Sequence, residues 1–160
     1  MGNASSTYFT YPTVHGPVTI SATQRGLVSV SFDDQASSGE KRATALTNDA
    51  ATQLQEYLAG KRRAFDIPLD LQGSAFQKAV WAELCSIPYG QTCTSADLAA
   101  ALGKPGSHRS VGTAVRQSAL APFVPAHRVL VGNATGKRAR IYRAFQAIEA
   151  RACDETASDG

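Results

Sequence analysis

The chain has 160 residues, 43% of them hydrophobic and 18% charged, with a formal net charge of +3. That is enough apolar chain for one domain or two small ones, and no apolar run approaches the roughly 18 residues a membrane-spanning helix needs. Met1 to Thr10 lacks the basic and apolar blocks of a secretory signal, so a soluble cytoplasmic protein, or a nuclear one in a eukaryote, is expected with no membrane partner. Three cysteines, Cys85, Cys93 and Cys153, are an odd number without metal-ligand spacing, and His15, His108 and His127 are dispersed. The expectation is reduced thiols, no metal and no cofactor.

The charge is unevenly spread. Residues 1–70 carry six Lys/Arg against seven Asp/Glu, a net of −1, whereas residues 71–152 carry ten against three, a net of +7. A basic second half suits a polyanion, nucleic acid first, although a solvated basic surface gives the same count.

In chain order, Ser5 to Val14 is β-prone, with Pro12 marking an edge or strand end. Val18, Ile20 and Ala22 alternate with polar residues, as do Val28, Val30 and Phe32 beyond a turn at Gly26, which predicts a hairpin. Asp33 to Glu40 reads as a loop. From Ala43 to Ala59 the period becomes helical through Leu46, Ala50, Leu54, Tyr57 and Leu58, and Gly60 ends it. Ala64 to Ile67 predicts a short strand. Pro68 to Gly73 reads as a linker at the point where the charge changes.

The remainder is mostly helical. Ser74-Ala75-Phe76-Gln77 is a capping box before a stripe of Phe76, Val80, Leu84 and Ile87, with Trp81 beside it. Pro88-Tyr89-Gly90 is a turn. Thr94 to Asp97 can cap a second helix carrying Leu98, Ala101 and Leu102, and Ser107 can cap a third, His108 to Ser118, with Val111, Ala114 and Val115 inward. Two short helices across a Gly-containing turn make a helix-turn-helix candidate. Small residues at 110, 112, 113 and 114, flanked by Arg109 and Arg116, leave a smooth ridge that fits either a narrow DNA groove or close helix–helix packing. Ala119 to Val131 reads as extended and Gly132 to Gly136 as a turn. A last helix, Lys137 to Ala152, turns Ile141, Phe145, Ile148 and Ala152 inward, and Lys137, Arg138, Arg140 and Arg143 crowd its start. Like charges there oppose the helix dipole unless an anion offsets them.

The expected fold is therefore α+β: a small N-terminal strand-helix domain (1–70), a mostly helical C-terminal domain with a helix-turn-helix (71–152), and a disordered tail (153–160). A monomer is expected.

With Phe76 to Trp81, Ile87 to Gly90, Leu98-Ala99, Arg109 to Gly112 and Val124-Pro125-Ala126-His127-Arg128-Val129 in order, residues 74–131 resemble the C-terminal domain of the O6-alkylguanine-DNA alkyltransferases. The first half resembles that family's small α+β domain more weakly. The resemblance implies a partner, double-stranded DNA containing O6-alkylguanine. It implies that a cysteine at position 126 would take the alkyl group from a flipped guanine, with His127 as the base acting through a water and Glu149 orienting it. It also places the helix of 107–117 in the minor groove with Arg109 inserted into the stack. Ser95, Arg109, Ser110, Gly112, Thr113, Ala114, Arg116 and Arg128 are the expected DNA-binding residues.

The sequence departs from the family at that pocket. Ala126 stands where the acceptor cysteine belongs, Ser95 where a Tyr is usual, Ser118 where an Asn is usual. The Gly-rich segment after the His-Arg pair is replaced by Gly132 to Arg138. The leading expectation is accordingly a non-catalytic, alkyltransferase-like DNA-binding protein, with His127 and Glu149 as remnants, that hands a lesion to DNA-repair proteins. Two alternatives stand beside it: a suicide alkyltransferase represented as a Cys→Ala variant at position 126, and a scaffold that has lost DNA binding. Cys85, Cys93 and Ser95 are poor substitute nucleophiles on this reading.

Overall fold

The computed structural model describes residues 6–33, 39–130 and 136–158, with side chains to residue 153 in the last helix. The chain forms two compact units, Met1–Gln72 and Gly73–Gly160. The loop expected at 33–40 and the turn expected at 132–136 lie largely outside the described residues.

The first unit is a four-stranded sheet with one helix. Strands β1 (Thr7–Thr13), β2 (Gly16–Ala22), β3 (Leu27–Ser31) and β4 (Glu40–Lys41) take the order β3-β2-β1-β4. Of the alternation read from sequence, Val18, Ile20, Ala22 and Val30 are in the core, whereas Val28 and Phe32 are half-buried and Leu27, outside that alternation, is fully buried. Pro12 fits within β1 because β4 pairs only with Thr7 and Tyr8, so no ladder bond is lost on that side. Gly26 is required by a close approach: a Cβ there would lie 2.5 Å from the Pro68 carbonyl oxygen. Helix α1 (Ala45–Leu58) starts at a Thr44–Thr47 capping box and buries Ala50, Leu54, Tyr57 and Leu58.

The strand expected at Ala64–Ile67 does not form. Phe65 packs on Tyr57 with ring centroids 5.3 Å apart, and the Asp66 amide donates to the Gln53 side chain at 2.9 Å. These contacts take the segment away from a ladder. The backbone reaches the sheet edge only afterwards, where Leu27 bridges Leu69.

Among the described residues the second unit has four helices and a two-stranded parallel sheet. Helix α2 (Ala75–Leu84) begins at the Ser74–Gln77 capping box and buries Val80, Trp81 and Leu84. Strand β5 (Cys93–Thr94) leads into α3 (Ser95–Ala101), which carries a Thr94–Asp97 capping box. A 3₁₀ turn, Pro105–Ser107, leads into α4 (His108–Arg116); Ser107 makes no side-chain cap. Helix α5 (Lys137–Ser158) closes the unit.

Two expectations change here. The described part of the segment expected to be extended, 119–130, is not one strand. It holds a turn at 121–123 with a cis Ala121–Pro122 bond, a 3₁₀ turn at Ala126–Arg128, and only Val129–Leu130 as strand β6. Val124, Ala126, His127, Arg128 and Val129 are buried in succession, and a single strand facing solvent on one side cannot bury consecutive side chains. Helix α5 also runs past Ala152 into the stretch expected to be a disordered tail; no Pro or Gly interrupts it before Gly160.

Candidate functional site

The 3₁₀ turn Ala126–Arg128 is held by its own backbone. The Ala126 amide donates to the Val124 carbonyl at 2.7 Å and the Arg128 amide to the Pro125 carbonyl at 3.0 Å. The Gln146 side-chain amide, from α5, donates to the His127 carbonyl at 2.6 Å. Ala126 is 1% exposed and His127 is fully buried. Tight turning of buried backbone fixes where each of three consecutive side chains can point.

Those side chains converge on one carboxylate. Glu149, 2% exposed, lies 2.6 Å from His127 Nε2 through Oε2. Arg128 donates from Nε to Oε1 at 2.9 Å and from Nη2 to Oε2 at 3.0 Å, a bidentate pairing. The Gly90 amide donates to Oε1 at 3.0 Å, and Arg128 Nη1 reaches the Ile87 carbonyl at 2.7 Å. The carboxylate thus ties α5 to both the 126–128 turn and the Ile87–Gly90 turn. An ionised carboxylate can only accept, so His127 Nε2 carries the proton and Nδ1 carries the basic lone pair. Burial holds the imidazole below its ordinary pKa, outweighing the upward pull of Glu149, while Arg128 lowers it further. The ring also packs edge-on against Phe145, with centroids 5.3 Å apart.

Arg128 is corrected by this geometry. It is 7% exposed and committed to Glu149 and Ile87, so its side chain serves the structure here, unlike the exposed Arg109 and Arg116. Glu149 sits among core positions of α5 because Arg128 and His127 compensate its charge. The apolar stripe expected there is only partly buried: Phe145 and Ala152 are inside, Ile141 and Ile148 half-buried.

Helices α3 and α4 form the second part of the site. Val111, Ala114 and Val115 face inward, and Trp81 Nε1 donates to the Ala114 carbonyl at 2.9 Å. Gln77 joins Gln117 at the end of α4 through a 2.6 Å side-chain bond. Of the expected DNA-binding residues, Arg109, Ser110, Thr113 and Arg116 are exposed and Ser95 is half-buried. Gly112 and Ala114 are buried and do not lie on the outer ridge. A Cβ at Gly112 would sit 3.3 Å from Ser95 Oγ, so the small residue there serves close approach of α3 and α4.

Burial works against thiolate formation at both Cys85 and Cys93. Cys93 lies on β5 opposite Val129, nearer the 126–128 turn than the sequence alone suggested. Burial pushes its thiol up, and the charges of Asp97 and Glu83 push it further. Desolvation also raises Cys85, with Arg128 pulling the other way. A reactive thiolate needs the opposite shift. Among the described residues, no group of three or more His, Cys, Asp or Glu could hold a metal ion, and no helix is long and apolar enough to cross a membrane. The parallel β5–β6 pair was not read from the sequence, because two-residue strands leave no period to detect.

The comparisons with known proteins cover both units. Residues 75–151 match the DNA binding domain of 6-O-methylguanine DNA methyltransferase, and residues 7–71 match its ribonuclease-like domain. The methylated-DNA–protein-cysteine methyltransferase of Methanosarcina barkeri is 38% identical over 120 residues, 72% of this chain and 76% of that protein. The constitutive enzyme of the same name from Bacillus subtilis is 42% identical over 104 residues, 65% of this chain and 63% of that protein. The crystal structure of Mycobacterium tuberculosis OGT in complex with DNA superposes with a TM-score of 0.80 at 32% identity, covering 91% of this chain and 94% of that one. A similar match, TM-score 0.81, is found with the same organism's O6-methylguanine methyltransferase. The α+β fold, strand unit first and helical unit second, is the one these proteins share. The chain belongs to the O6-alkylguanine-DNA alkyltransferase family.

Proposed function

We propose that this chain is built as a methylated-DNA–protein-cysteine methyltransferase whose alkyl-acceptor position is 126, occupied in this sequence by alanine. The observation that carries the reading is the buried His127–Glu149 pair at 2.6 Å, formed by the residue directly after Ala126. A base-and-orienter pair of this kind activates a neighbouring thiol. With a cysteine at 126, the thiol proton would pass through a water to His127. The sulfur would take the alkyl carbon from O6 of a flipped guanine as the C–O bond breaks, and the guanine would leave with its bonding electrons and regain a proton. The thioether is not turned over, so each molecule acts once. Extensive similarity to proteins named for this activity supports the same reading.

The test is the Ala126→Cys variant incubated with O6-benzylguanine. Its intact mass is expected to rise by one benzyl group, with no change in the parent chain. A folded variant whose mass stays unchanged would reject the reading.

Ala126 itself favours a second reading. A methyl group cannot attack, and Ser95 and Ser118 stand where the family usually has Tyr and Asn. With alanine native, the protein would bind duplex DNA through α4, place Arg109 in the stack, hold the flipped alkylguanine and leave it for DNA-repair proteins. Tighter gel-shift binding to an O6-methylguanine duplex than to a plain one is expected. Equal binding to both removes the lesion sensing.

A further inference from the structure

The basic start of α5 plays no part in the site around Glu149, and its position beside α4 gives it a separate use. Arg138 Nη1 donates to the carbonyl of Arg116, the last residue of α4, at 2.5 Å. This bond brings a second cation to the C-terminal end of α4, while the Arg116 guanidinium turns back to Thr113 Oγ1 at 3.3 Å. Lys137, Arg138 and Arg116 are all exposed. Among the described residues no ion pair engages Arg116 or Arg138. Holding like charges together at a surface costs free energy in the free protein, and a row of phosphates relieves that cost.

We propose that Arg116, Lys137 and Arg138 form a second phosphate-binding surface for duplex DNA, which extends the α4 interface past that helix's C-terminal end onto the adjoining backbone. The inference rests on the DNA-binding reading above and adds residues from a different element to it. Duplex DNA fits the patch because its three exposed side chains are cations gathered at the C-terminal end of α4, a helix that also exposes Arg109, Ser110 and Thr113. Arg138 has two tasks on this assignment. Its bond to the Arg116 carbonyl ties the two helices, and its exposed side chain has further guanidinium donors for a phosphate oxygen.

The experiment is fluorescence-anisotropy titration of a plain duplex with the full chain over a range of salt concentrations. The variants are Lys137→Ala, Arg138→Gln and the two together. Arg151→Ala is the control, because it removes the same charge about 20 Å further along the same helix. The double variant is expected to bind several-fold more weakly, and its log–log salt dependence should be shallower by about 0.9 for each phosphate no longer neutralised. Arg151→Ala should leave both quantities unchanged. Lys137→Ala leaves the Arg138–Arg116 bond in place, so weaker binding by that variant separates phosphate binding from the loss of that bond. If the unaltered chain binds the duplex but the Lys137 and double variants match it in affinity and salt slope, this inference fails alone. If the unaltered chain binds no duplex at low salt, the DNA-binding reading fails with it. Weakening no greater than that of Arg151→Ala would reduce the effect to net charge and overturn the assignment of a patch.

Discussion

At the scale of single residues, the chemistry of the site is decided by what surrounds His127. Its imidazole is buried, faces Glu149 at 2.6 Å, and is held below its ordinary pKa chiefly by desolvation. The unfolded chain therefore takes up a proton at this residue more readily than the native one. By linkage, the stabilisation is complete above about pH 6.5 and is lost as pH falls below that value toward the native pKa. Urea unfolding between pH 7.5 and 5 should show stability decreasing with acidification, and His127→Gln should flatten that part of the curve. An unchanged slope in the variant would mean that other groups carry the dependence. Ala126 is the complementary case. Its identity was plain in the sequence and its burial follows from the turn, yet neither supplies a nucleophile. Arg128 shows where residue-level reading stops, because a cation in a DNA-binding sequence looks like a phosphate ligand until its bidentate partner is seen.

At the scale of elements, the helices with capping boxes were legible. Ser74–Gln77 and Thr94–Asp97 mark the starts of α2 and α3 where the sequence puts them, because reciprocal side-chain–backbone bonds are local. The segment from Leu120 to Val129 was not legible as a fold. Its burial on all sides removes the alternation that distinguishes a strand, and its shape depends on contacts with α5 and the Ile87–Gly90 turn. That turn makes its own prediction. Gly90 has a φ of +83°, and a Cβ there would meet Cys153 Sγ at 2.5 Å. Gly90→Ala should cost about 1–2 kcal/mol from backbone strain alone, with a steric cost in addition. Adding Cys153→Ala should recover the steric share and leave the backbone share. Thermal unfolding of both variants reads this, and full recovery in the double variant would contradict the backbone term.

At the scale of the whole molecule, the division of charge follows the division into units. The first unit has a net charge of −1 and the helical unit +4, ten Lys/Arg against six Asp/Glu, with the exposed cations of α4 and α5 on the latter. Affinity for duplex DNA should fall steeply with salt as counterions are released. Charge reversal in the first unit, Lys61→Glu, should leave the log–log slope unchanged, whereas Arg116→Glu should make it shallower by about 0.9 or more. Equal effects of the two changes would point to a general field rather than a localised interface. The charge division and the α+β class were visible in the sequence. The joining of α4 to α5 by Arg138 was not, because no local pattern links residues 116 and 138.

The hydrogen bonds received by Glu149 also bear on the order of folding. Its partners Gly90, His127 and Arg128 lie 59, 22 and 21 residues before it in the chain, and loops of that length close only against a sizeable entropy. The pocket therefore cannot take shape from nearby segments alone. It is completed when α5 docks. A chain cut short before Glu149 would leave the Arg128 guanidinium without its counter-charge, so it should be rejected as unstable rather than persist as a partly working protein.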